Sequence, residues 1–115
     1  MNLFKRESEL PPLSRLRVSV KISDTITLRE VLAANPELLN YQDEKGATPL
    51  HWAAEAQDLS IVAALVDLGA DRKIKDNAGY TPRDTAHFFG EFRMGAYTDI
   101  CHRIVRRLDE PPNAG

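Results

Sequence analysis

The chain has 115 residues, 43% hydrophobic and 28% charged, with 15 Lys+Arg against 17 Asp+Glu and a formal net charge of -2. That describes one small domain or a short repeat array with enough apolar matter for one core, and it excludes disorder throughout. The balance lacks the basic excess of a dedicated nucleic-acid binder, and a single cysteine, Cys101, excludes an internal disulfide and a Cys-rich zinc site.

At the N-terminus, Lys5 and Arg6 are followed by Glu7, Glu9, Pro11 and Pro12, where a secretory leader needs an apolar stretch. Residues 1–12 are expected to form a flexible segment. Leu16, Val18, Val20 and Ile22 then alternate with Arg15, Arg17, Ser19 and Lys21, which read alone is a strand pattern. An isolated strand would have no partner, so the expectation is a helix over 14–22, capped by Ser14, with Leu13, Leu16 and Val20 inward. A second helix is expected over 26–34. The longest wholly apolar run, Ile61 to Val66, has six residues, far short of the roughly 20 that a membrane span needs.

From Asp43 onward the chain repeats itself at an offset of 33 residues. Asp43, Gly46, Thr48, Pro49 and Ala53 fall on Asp76, Gly79, Thr81, Pro82 and Ala86, giving D-x-x-G-x-T-P-x-x-x-A twice. A fainter copy lies upstream, where Leu28, Val31 and Leu32 fall on Ile61, Ala64 and Leu65. Thr48 and Thr81 suit helix N-caps and the following prolines suit the first helical position. Asp84 completes something close to a capping box with Thr81. Gly46 and Gly79 read as turn residues of positive φ. In the first full copy Leu50, Ala53 and Ala54 line one face of a helix over 49–56. Asp58 can cap a second helix over 59–68, with Leu59, Val62, Leu65 and Val66 as its stripe, and Gly69 closes it. The last copy predicts helices over 82–90 and 97–108. Tyr97, Ile100, Cys101, Ile104, Val105 and Leu108 mark the apolar face of the second of these. Matching Ile100 to Ile61 requires six extra residues between Phe88 and Ala96, read as a loop between Gly90 and Gly95. The tail from residue 109 is expected to fray.

Turn, helix, short turn, helix and Gly at this period resembles the ankyrin repeat, whose T-P-L-H-x-A signature is met by Thr48-Pro49-Leu50-His51-Trp52-Ala53. Leu68-Gly69-Ala70-Asp71 and Asn35-Pro36-Glu37-Leu38-Leu39-Asn40 are similar to further segments of that family. The resemblance implies an all-α fold, a short solenoid of three helix pairs (13–42, 43–75 and 76–108) joined by hairpin-like turns. It also departs from the family pattern. Gln57 stands where the family commonly has Gly, and Arg83-Asp84 replace Leu-His in the last copy.

Catalytic, cofactor and metal sites are not expected. His51 invites such a role, but the resemblance implies that it ties turn to helix, with Thr48 as partner. Cys101 reads as a small hydrophobe on an apolar helix face. Arg103, Arg106 and Arg107, interspersed with Asp99, Asp109 and Glu110, read as a solvated face. What the family implies is binding of another protein by the turn tips and the first-helix face. Carried onto this sequence, that surface comprises Gln42, Glu44, Lys45, Ala47, Trp52, Glu55, Lys75, Asn77, Tyr80, Phe88, Phe89 and Phe92. Trp52 has two readings, packing between repeats or anchoring a partner. The aromatic segment Phe88 to Tyr97 has two as well, a cap on the stack or a contact patch. With array and short tails accounting for the sequence, the expectation is a cytoplasmic, non-catalytic adaptor or regulatory subunit. An immunity or antitoxin-type inhibitor is the alternative. No cofactor, nucleic acid, membrane or small-molecule substrate is expected.

Overall fold

The computed structural model describes residues 10–94 and 99–109, and for 92–94 and 99 the backbone alone. Within them lie six α-helices: α1 (Pro12–Lys21), α2 (Thr25–Ala34), α3 (Pro49–Glu55), α4 (Leu59–Asp67), α5 (Pro82–Met94) and α6 (Asp99–Asp109). A 3-10 turn, Pro36–Leu38, follows α2. No strand occurs among the described residues. Consecutive helices pack in pairs, α1 on α2, α3 on α4 and α5 on α6. The first helices α1, α3 and α5 form one layer, and α2, α4 and α6 the other.

Local sequence sets most of the ends. Asp24 caps α2, its carboxylate accepting from the Thr27 N–H at 3.0 Å and the Thr27 hydroxyl at 2.7 Å. These two bonds hold the Asp24 carboxyl below its ordinary pKa. Asp58 caps α4 by accepting from the Ile61 N–H at 3.2 Å. The start of α1 differs from the expected Ser14 cap. Pro12 occupies the first turn, Pro11 is extended (φ -54, ψ 148), and no side chain caps the helix. A proline disfavours helical backbone in the residue before it, so the Pro11-Pro12 pair sets the start two residues earlier.

The alternation of residues 15–22 is not a burial pattern. Leu16, Ser19 and Val20 are buried, spaced for one helix face, whereas Ile22 is 59% exposed. The Ser19 hydroxyl satisfies itself on the Leu16 carbonyl at 2.7 Å. Leu28, Val31 and Leu32 of α2, Leu50, Ala53 and Ala54 of α3, and Ile61, Val62 and Leu65 of α4 continue the core. Each fully buried aliphatic side chain contributes roughly 1.5–3 kcal/mol. On α6, Cys101, Ile104, Val105 and Leu108 face inward as expected, but Ile100 is 47% exposed. Asp109 is the last residue of α6 and pairs with Arg83 at 2.8 Å.

The largest departure lies in α5. The helix runs to Met94, straight through Gly90, so part of the six extra residues extends the helix instead of forming a loop between two glycines. Gly90 is a contact point. A Cβ there would lie 2.4 Å from the Cys101 Sγ, so glycine is what lets α6 approach α5 this closely. The Cys101 thiol donates to the Ala86 carbonyl at 3.3 Å. Gly95 and Tyr97 lie outside the described residues.

Candidate protein-binding surface

Each full repeat opens with a turn organised by an aspartate. Asp43 Oδ1 accepts from the N–H groups of Lys45 and Ala47, both at 2.9 Å, and its backbone N–H donates to the Ala47 carbonyl. Asp76 does the same with Ala78 at 3.0 Å and Tyr80 at 2.9 Å. Gly46 and Gly79 take φ of 75° and 88°. Thr48 then caps α3 with a capping box completed by His51. Asp84 and Thr81 cap α5 reciprocally at 3.1 and 3.3 Å.

The two turns are bolted together. The Asn77 N–H donates to the Lys45 carbonyl at 2.9 Å, and its side-chain amide donates to the Glu44 carbonyl at 3.0 Å. Beneath them the His51 Nδ1 accepts from the Thr48 N–H at 3.1 Å. Its Nε2 lies 2.7 Å from the Tyr80 carbonyl, 29 residues on. Those two partners together fix the neutral tautomer with the proton on Nε2. His51 is therefore a buried structural tie, as the resemblance implied.

Around this frame the expected contact residues fall into three groups. Glu44, Lys45, Asn77 and Tyr80 are exposed on the turns, with Ala47 half-buried between them. Asn77 already spends its side chain on Glu44. Gln42 and Lys75 are exposed at the junctions, and Gln42 donates to the Gly46 carbonyl at 3.0 Å. Trp52 and Glu55 lie on α3, and Phe88 and Phe89 on α5. Tyr80 and Phe88 are 39% and 37% exposed, their rings tilted with centroids 6.0 Å apart. Phe89 is half-buried, edge-on to Phe88 at 5.3 Å. With Arg83, Asp84 and His87, Tyr80 and Phe88 line a shallow depression of about 380 Å³. The Phe92 side chain lies outside the described residues.

Trp52 is held between repeats. Its indole N–H donates to Asp43 Oδ2 at 3.0 Å, and the Arg17 guanidinium lies over its ring, 4.3 Å from the centroid. Arg17 also pairs with Asp43 at 3.5 Å. Burial pushes the Asp43 carboxyl up. The bonds from Ala47, Trp52 and Lys45 and the Arg17 charge outweigh it, so Asp43 sits below its ordinary pKa. Trp52 and Glu55 line a groove of about 750 Å³ whose opposite wall is α1, through Arg17, Val18, Val20 and Lys21. Sequence reasoning missed that wall. Its signal was present in the alternating segment, because Arg17 and Lys21 are one helical turn apart, off the face carrying Leu16 and Val20.

Among the described residues no cluster of three or more His, Cys, Asp or Glu could hold a metal ion, and no helix is long and apolar enough to cross a membrane.

Paired helices in two layers, opened by turns in 33-residue register and locked by His51, define a helical repeat solenoid. The chain is an ankyrin-repeat protein, and the model of that family, "Ankyrin repeats (many copies)", matches residues 31–86. It is similar to the ARF GTPase-activating protein GIT2 of Mus musculus, 30% identical over 91 residues that cover 79% of this chain and 12% of that protein. The NAD-capped RNA hydrolase NUDT12 of Homo sapiens is 32% identical over 90 residues, covering 78% of this chain and 20% of that protein. Regulatory protein NPR3 of Arabidopsis thaliana is 35% identical over 69 residues, 60% of this chain and 12% of that protein. The chain thus matches at most a fifth of the length of these relatives. Ankyrin repeats generally mediate protein–protein interaction and typically carry no catalysis.

Proposed function

We propose that this chain is a non-catalytic, cytoplasmic adaptor or regulatory subunit that binds another protein. The contact surface runs over the turn tips (Gln42, Glu44, Lys45, Ala47, Lys75, Asn77 and Tyr80) and the first-helix layer (Trp52, Glu55, Phe88, Phe89 and Phe92). The observation that carries this reading is the bolting of the two turns through Asn77, Lys45 and Glu44. It holds Tyr80 and its neighbours in fixed positions while leaving them exposed, so little ordering cost accompanies binding. An ARF GTPase-activating protein and an NAD-capped RNA hydrolase, proteins of unlike activity, each match more than three quarters of this chain, which favours a recognition role over either activity.

The test is affinity capture from host lysate with the full chain and with a Tyr80→Ala/Phe88→Ala pair, read by mass spectrometry. The pair should lose at least about tenfold in recovery of a specific partner, since exposed aromatics at an interface centre carry much of the binding energy. Its thermal midpoint should stay nearly unchanged. If both proteins recover the same set, the binding surface lies elsewhere. If no protein is captured specifically, the adaptor reading is wrong.

A further inference from the structure

The groove between α1 and α3 is charged unevenly. Its α1 wall presents Arg17 and Lys21 and the α3 wall presents Glu55, with Val18, Val20, Ala56 and Trp52 supplying the apolar surface. Arg17 is not a loose surface side chain. It is stacked on Trp52 and steered by Asp43, which itself is fixed by the indole N–H. Its side chain remains 44% exposed, and its contact with Asp43 is long at 3.5 Å, so part of its N–H fork is open to a ligand. Lys21 is exposed one turn further along, and no described residue forms an ion pair with it. Val18 is half-buried although it sits off the core face, which leaves it apolar surface to offer.

We infer that this groove takes a peptide segment of the protein partner in which a carboxylate side chain stands beside an apolar one. The assignment rests on the protein-binding reading above and specifies the partner's chemistry. The carboxylate meets the open edge of Arg17 and the Lys21 ammonium, while the apolar side chain lies on Val18, Ala56 and Trp52. Glu55 on the facing wall repels a second acid, so the segment binds with its carboxylate towards α1. Stacking of Arg17 fixes the donor geometry before the partner arrives, which lowers the ordering cost of the contact.

The experiment is selection of short random peptides displayed on phage against the full-length protein, followed by fluorescence anisotropy of the best peptide. Peptides with Asp or Glu within a few positions of Leu, Ile or Phe should be enriched. Lys21→Glu should weaken the best of them by about tenfold or more, and Glu55→Lys should tighten it several-fold. Affinity should fall as salt rises. Lys21 and Glu55 are both exposed, and unchanged circular dichroism melts would show that each variant folds. Opposite shifts from the two charge reversals are a signature that a structural role does not produce. Enrichment of basic or uncharged peptides, binding indifferent to both reversals, or no enrichment at all each overturns the groove assignment. If peptides bind but respond to Tyr80→Ala/Phe88→Ala instead, the groove assignment fails while the protein-binding reading stands. Failure of that wider reading is decided separately, by the lysate capture.

Discussion

Residues 43–53 and 76–86 carry one motif in two environments. Both turns form the same aspartate-centred hydrogen bonds, because those bonds are local and depend only on the motif. What differs is what each turn touches next. Gly46 is buried beneath Asn77, whereas Gly79 is exposed. Thr48 and His51 are buried, whereas Thr81 is half-buried and Asp84 exposed. The third helical position of the motif therefore has two jobs. In α3 it closes the capping box and reaches the next repeat at Tyr80. In α5 Asp84 performs only the first. A local rule dictates the turn, and the neighbouring repeat dictates which of its residues become core.

The sharpest way to break this comparison is to truncate the two third-position residues. His51→Ala should destabilise by about 2–4 kcal/mol, because it leaves the buried Thr48 N–H without its acceptor and removes the tie to the next repeat, the Tyr80 carbonyl keeping only its bond from the Asp76 N–H. Asp84→Ala should cost about 0.5–1 kcal/mol, the ordinary loss of an exposed cap. Urea unfolding of both variants measures the gap. Equal losses would mean that the bond to Tyr80 adds nothing to the cap.

Gly90→Ala should follow, at about 1–3 kcal/mol, since a methyl group must displace the Cys101 sulfur at 2.4 Å. A double variant with Cys101→Ala should recover part of that loss, which a double-mutant cycle in urea would detect. Next come the paired turn glycines. Gly79→Ala meets open space and should cost about 1 kcal/mol from its φ of 88° alone. Gly46→Ala adds a clash, with the new Cβ 2.6 Å from Asn77 Oδ1 and 2.9 Å from its N. It should cost about 2 kcal/mol or more, and thermal melts of the two should differ accordingly.

Acid should expose a smaller difference. Asp43 has a depressed folded-state pKa, so its contribution is complete above the unfolded value near 3.9 and is lost as pH falls through the lower folded value. Asp43→Asn should therefore be less stable than the parent at neutral pH. The gap should close only below about pH 4, in urea midpoints taken across that range. A gap that stays constant with pH would assign the effect to hydrogen-bond geometry instead of charge.

The parts of the fold legible in the sequence were those written locally. Thr48, Asp58, Thr81 and the turn glycines announce caps and turns through their own backbone preferences, and their positions follow from the repeat. The first helix, expected over 14–22 and found at Pro12–Lys21, was legible despite its alternation only because an isolated strand would have had no partner. Within that alternation Val18, apolar although off the core face, lines with Arg17 and Lys21 the groove that α3 completes. The α1 wall of that groove, the Arg17–Trp52–Asp43 contact and the Asn77 bridge join residues 9 to 35 positions apart, and no local signal specifies such pairings. The length of α5 was misread for a related reason. Gly90 looks like a helix terminator in sequence, and only the approach of Cys101 reveals its packing role.

Gln57 and Gly90 stand at the same repeat position, and each does what the other's residue type would suggest. Gln57 takes φ of 57°, a conformation that suits glycine, and the chain turns there between α3 and α4. Gly90 could take it without cost, yet α5 continues through it. The neighbours explain the reversal. Asp58 follows Gln57 and caps α4, whereas Glu91 follows Gly90 and supports no such cap among the described residues. Gln57 offsets its strain with two bonds from its amide, to the Ala54 and Ala86 carbonyls, both at 2.9 Å. The second of these reaches α5 and ties the two repeats on the side away from Tyr80. Gln57→Ala keeps the strain and loses both bonds, so it should cost about 1–2 kcal/mol. Gln57→Gly loses the same bonds but relieves about 1 kcal/mol of left-handed strain, leaving a net change within about 0.5–1 kcal/mol of the parent. Guanidinium titrations of the three proteins should therefore rank Ala clearly below Gly, with Gly near the parent. If Ala and Gly unfold at the same midpoint, strain at this turn is negligible and the amide bonds alone decide its stability.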